Sequence, residues 1–199
     1  MNNDIIPTLG LEKDFMVIRY PEGKRSFEPT KDTFRLTNGA FILGLRGRLS
    51  LSMNLTSYDV TGNTLLTIIP HHIVQAQSIS DDFEGYIVLF TPSFAADTNL
   101  LRSNLPFMTE MRYNPLVNLT EDECILFTNF CRFFYDIEGN ELIGNSPEVR
   151  KGLLTSLLYT LGALYRRQLP QVPAEKQSRA NIIFKKFQIF NFACKIKFV

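Results

Sequence analysis

The hydrophobic positions of this chain change period about halfway along it. From Gly39 to Leu55 they alternate. Phe41, Leu43, Leu45, Leu49, Leu51, Met53 and Leu55 fall on odd numbers, and Gly44, Arg46, Arg48, Ser50, Ser52 and Asn54 on even ones. A period of two predicts a strand with one apolar and one wet face. Gly47 breaks the apolar series midway, as a glycine does where a strand bends sharply or bulges. Phe15 to Tyr20, Phe34 to Leu36, Leu65 to Ile69, Ile73 to Ile79 and Phe83 to Thr91 read as further strands, with turns at Asp59 to Asn63 and Pro70 to His72. Many short strands around one bent central strand predict a sandwich or a small barrel.

Beyond Thr91 the apolar spacing becomes three and four, the period of helices. Thr91-Pro92 sets a capping hydroxyl before a proline at the first helical position. Thr120-Glu121-Asp122-Glu123 is a capping box with acids at the positive end of the helix dipole. The helix it opens carries Ile125, Leu126, Phe127, Phe130, Phe133, Phe134 and Ile137. Ser146-Pro147-Glu148 opens a third helix, which Arg166 and Arg167 close and Pro170 stops. Pro170 to Gln177 reads as a linker, and Ser178 caps a last amphipathic segment with Ile182, Ile183, Phe184 and Phe187. Strands first and helices afterwards predict an α+β fold rather than an alternating α/β one.

Composition narrows this picture. The chain has 199 residues, 45% apolar and 21% charged, enough to close a core without disulfides. Three cysteines are odd in number and too few for a disulfide scaffold, which predicts a reducing compartment. Cys124 and Cys131 stand two helical turns, about 10 Å, apart, too far to bridge, and read as small buried apolar groups. MNNDIIPTLG lacks the basic stretch and apolar run of a secretion signal, and no segment is apolar for long enough to cross a bilayer. The expectation is a soluble cytoplasmic protein with no membrane partner. The formal net charge of +1 hides an asymmetry: from Lys176 onward there are six basic residues and no acid, so the preceding part carries −5. An acidic barrel should not bind DNA by itself.

Several stretches resemble the regulatory half of AraC-type transcription regulators. They are NGAFILGLRGRLSLSMN, TLLTIIPHHIVQAQSISDDFEGYIVLFTPSF, PEVRKGLLTSLLYTLGALYRR and SRANIIFKKF, and the similarity runs from about Phe15 to Phe187. The resemblance implies a cupin-like antiparallel barrel over 1–91, a helical dimerisation segment packed on it over 92–190, and a short tail over 191–199 in place of a DNA-binding domain. It implies transcription regulation through effector sensing and dimerisation. The partners it implies are a second copy and a small-molecule effector. DNA would be touched only through a helix-turn-helix domain absent from this chain, for NFACKIKFV has no room for a recognition helix. A non-metal cupin-type enzyme, such as a sugar isomerase or epimerase, is the alternative.

Candidate chemistry is sparse. A cupin metal site needs two histidines one residue apart, so that alternation points both into one cavity. Here His71 and His72 are adjacent, and no His-x-His occurs, so neither a metal nor any other cofactor is expected, nor any catalytic residue. Asp81, Asp82 and Glu84 read as a solvated turn. Ligand contacts are expected from polar groups at the barrel mouth: Tyr20, Arg46, Arg48, His72 and Tyr86. Two leucine columns mark the third helix: Leu154, Leu158, Leu161 and Tyr165 beside Leu153, Leu157 and Leu164. One column can face the barrel while the other faces a partner copy across a two-fold axis. The other reading of the same pattern buries both columns inside one chain.

Overall fold

The strand and helix signals resolve, in a computed structural model, into nine strands, three helices and a further helical turn at 110–113 among the described residues, 15–21, 33–96, 110–138, 140, 143 and 146–168. The strands are β1 (Phe15–Tyr20), β2 (Phe34–Arg35), β3 (Gly39–Arg46), β4 (Arg48–Met53), β5 (Thr56–Thr61), β6 (Thr64–Ile68), β7 (Ile73–Ile79), β8 (Glu84–Phe90) and β9 (Leu116–Asn118). The helices are α1 (Pro92–Ala96), α2 (Glu121–Glu138) and α3 (Pro147–Gln168). A five-stranded sheet runs β1-β8-β3-β6-β9 and a four-stranded one β2-β7-β4-β5, and every pairing is antiparallel. The two sheets face each other as a barrel with the helices on one side, the α+β arrangement expected. The linker, the last amphipathic segment and the basic tail lie outside the described residues.

The bent central strand is the corner of this barrel. β3 belongs to the first sheet and β4 to the second, and the chain crosses between them at Gly47, whose φ is +65°. A Cβ there would come within 2.6 Å of the Phe83 backbone, so glycine is required twice over. A bulge precedes the corner: Gly44 pairs with Gly85 and Arg46 with Glu84, which leaves Leu45 as an extra residue. The irregularity exchanges the faces. Phe41 and Leu43 point at the helices, whereas Leu49, Leu51 and Met53 point between the sheets. The odd positions therefore do not form the single apolar face expected of them, and on the even side of β3 Ala40 and Ile42 are buried too.

Two cores follow. One fills the space between the sheets; the other joins the outer face of the five-stranded sheet to α1, α2 and α3. That sheet is covered on both sides, and all five residues of β6 are buried. The helix caps are those expected: Thr91 Oγ1 accepts from Phe94 N at 3.3 Å, Ser146 Oγ from Val149 N at 3.3 Å, and Thr120 and Glu123 form a reciprocal box. Leu154, Leu157, Leu158, Leu161, Leu164 and Tyr165 all lie in the helix-side core, with Leu153 packed at its edge. The structure thus buries six of the seven residues expected at a dimer contact inside one chain, where α2 and α3 lie together against the sheet, which is the second reading of the leucine pattern. Two strands went unforeseen. β5 replaces part of the turn expected at Asp59 to Asn63, and β9 reaches the barrel sheet from beyond residue 91. No helix among the described residues is long and apolar enough to cross a membrane.

Candidate ligand-binding cavity

The space between the sheets is not filled. Inward residues of β1 (Ile18, Tyr20), β3 (Ala40, Ile42), β4 (Leu49, Leu51), β6 (Ile68), β7 (Val74, Ala76, Ile79) and β8 (Ile87, Leu89), with Phe34, Leu36 and Phe83, enclose a cavity. It leaves about 80 Å³ of room for the centres of water-sized molecules. Two of these inward positions carry alanine where their neighbours carry Ile, Leu, Val or Phe. Among the described lining residues Tyr20 alone has a polar side-chain atom, and its ring packs on Phe83 with centroids 5.6 Å apart. Among the described residues no charged one lines the cavity.

Of the five residues expected at the barrel mouth, Tyr20 alone lines this cavity. Arg46 is 66% exposed on the outer surface, 3.6 Å from Asp82 and 3.8 Å from Glu84. Arg48 is likewise outside and 3.4 Å from Asp59, which also accepts a 2.6 Å bond from Ser50. The acidic turn thus serves as the counterion of a surface arginine. Tyr86 is buried on the opposite face of its sheet, among the helices. His72 is 8% exposed beside the chain end of β4, its Nδ1 2.9 Å from Met53 Sδ. Burial holds its imidazole below the ordinary value, and the Arg112 guanidinium pushes the same way. His71 occupies a turn with φ +72°.

Other reactive groups are shut away from the cavity. Burial raises the thiol of Cys124, and pushes that of Cys131 up to about 12, so both stay protonated. Burial also raises the Tyr165 phenol, whose oxygen lies 3.1 Å from Thr67 Oγ1 and 3.2 Å from the Pro115 carbonyl oxygen. Among the described residues no three His, Cys, Asp or Glu side chains come together as metal ligands. The residues that sequence reasoning missed are the alanines. Their signal was present: Val74 and Ala76 share the parity of β7, and Ala40 and Ile42 that of β3.

No protein-family model matches the chain, and no curated protein matches it. Solved structures with a comparable backbone include the apo form of ToxT from Vibrio cholerae, with a TM-score of 0.45 and 16% identity over 77% of this chain and 58% of that one. The AraC-like transcriptional activator CuxR gives a TM-score of 0.44 and 13% identity over 78% of this chain and 51% of that one. A cupin protein from Bacteroides fragilis gives 0.30 and 15% over 39% of this chain and 64% of that one. The chain spans between 51% and 58% of the length of those two regulators.

Proposed function

We propose that this chain is the effector-sensing and dimerisation domain of an AraC-type transcription regulator acting in the cytoplasm, with a small-molecule effector held between the two sheets. The cavity carries this reading. Protein interiors ordinarily close to voids no larger than a water molecule, and an open apolar space costs stability. A cavity retained at that cost, walled by rigid strands, is suited to a ligand. The described lining offers no carboxylate, imidazole, thiol or amine for proton transfer or nucleophilic attack, which favours binding over isomerase or epimerase chemistry. DNA contact belongs, on this reading, to a helix-turn-helix domain.

Dimerisation is part of the proposal, through a different surface from the leucine columns. The outer face of α2 exposes Ile125, Leu126 and Phe133, with Asp122 and Arg132 beside them. An antiparallel two-fold pairing about residue 127 sets Asp122 of one copy against Arg132 of the other, twice over, with Ile125 and Leu126 between and Phe133 at the edge, opposite Glu121 of the second copy. The test of the sensor reading is direct. Organic extraction of the purified protein, followed by mass spectrometry, should release one small molecule in near-stoichiometric amount, or a library of small apolar compounds should contain some that raise the melting midpoint. An empty extract together with a silent library contradicts the reading.

A further inference from the structure

Resting on the reading of the cavity as an effector site, we infer that the effector is an uncharged, mainly apolar molecule with at most one hydrogen-bonding group, and that Ala40 and Ala76 set the size admitted. The chemistry of the wall decides the class. An ion leaving water needs a countercharge or several hydrogen bonds to replace its hydration. The described lining supplies neither: it holds one hydroxyl, that of Tyr20, and otherwise carbon. The two arginines expected at the barrel mouth, Arg46 and Arg48, stand on the outer surface and are engaged by Asp82, Glu84 and Asp59. A sugar is excluded on the same ground, since each of its hydroxyls would lose its water partners against Ile, Leu and Val.

The two alanines carry the second half. Ala40 is 2% exposed on β3 and Ala76 5% on β7, so the cavity is walled by them on both sheets. Alanine is a poor strand residue, and at a buried inward position a β-branched side chain would both suit the strand and fill the void. Both positions give up local preference and packing where the core between the sheets is open. Local rules broken together at one site mark function rather than chance packing.

The test uses the whole chain near neutral pH with three probes of one skeleton: n-butylbenzene, 4-butylphenol and 4-butylbenzoate. Binding is read by the shift in melting midpoint and by saturation-transfer NMR of the probe. The first two should bind and compete with each other, and the anionic benzoate should bind at least about tenfold more weakly. Ala76→Leu should weaken both neutral probes about tenfold or more while leaving the unliganded midpoint equal or higher. Ala40→Val serves as the second variant, should Ala76→Leu not fold. Benzoate binding as tight as the phenol, and lost in these variants, overturns the uncharged class and leaves the sensor reading standing. Probe binding unchanged in both variants, or no probe binding while filling the void raises the midpoint, overturns the cavity as a site altogether.

Discussion

Leu55 holds an unfavourable conformation in full view of solvent. It sits at the tip of the β4–β5 turn with φ +70° and a side chain that is 100% exposed. The turn needs two left-handed residues in succession; Asn54, at φ +50°, tolerates this, and a leucine does not. Asn54 cannot relax the turn, because its N and Oδ1 are bonded to Ile73 O and N at 2.9 and 3.0 Å. Leu55→Gly should therefore raise stability by about 0.5–1 kcal/mol in chemical denaturation, and an unchanged or lower midpoint contradicts the strain. His72 acts in the other direction. Its folded value lies below the ordinary 6.5, so the unfolded chain takes up the proton first as pH falls. The neutral imidazole costs nothing above that value; stability drops as pH falls from there through the lowered folded value. His72→Gln should flatten the fall in stability as pH drops below the ordinary imidazole value of 6.5, and an identical slope in both proteins removes His72 as its source.

Among the elements, α2 depends on one side chain with two duties. Glu123 Oε2 accepts from Thr120 N at 2.8 Å in the capping box and from Arg167 Nη2, at the far end of α3, also at 2.8 Å. Thr120→Ala should cost about 1 kcal/mol. Glu123→Ala should cost more, since it removes half the box and the tie to α3 together, and equal losses in equilibrium denaturation contradict the shared role. These helix starts were legible in the sequence because capping is local: a hydroxyl, an acid three residues on, and an apolar run suffice. The strands were legible as elements but not as faces. Parity survives only while the strand is regular, and the extra residue at Leu45 together with the turn of the chain at Gly47 exchanged inside and outside between β3 and β4. Buried Ala40 and Ile42 on the even side of β3 went unread for that reason, and Tyr86 was expected at the cavity when it faces the helices. β9 was illegible because three residues carry no period.

At the scale of the whole molecule, the helix-side core and the proposed dimer surface separate cleanly by mutation. Leu157→Glu buries a charge between α3 and the sheet and should unfold the protein. Phe133→Glu changes an exposed residue of α2 and should leave a folded monomer where the unmodified protein sediments as a dimer. A monomer at all concentrations of the unmodified protein contradicts the pairing. The binding site was less legible than the fold, since a cavity is defined by what two sheets fail to fill, and single-strand patterns say nothing of how two sheets meet. The sheet between the two cores has one more consequence. In β6, Leu66 and Ile68 face the chamber while Leu65 and Thr67 face the helices, and the Thr67 hydroxyl touches Tyr165 in the last turn of α3. With no wet side, this wall has nowhere to yield freely. It is a partition shared by a chamber and a rod, its two faces packed by alternate residues of one strand.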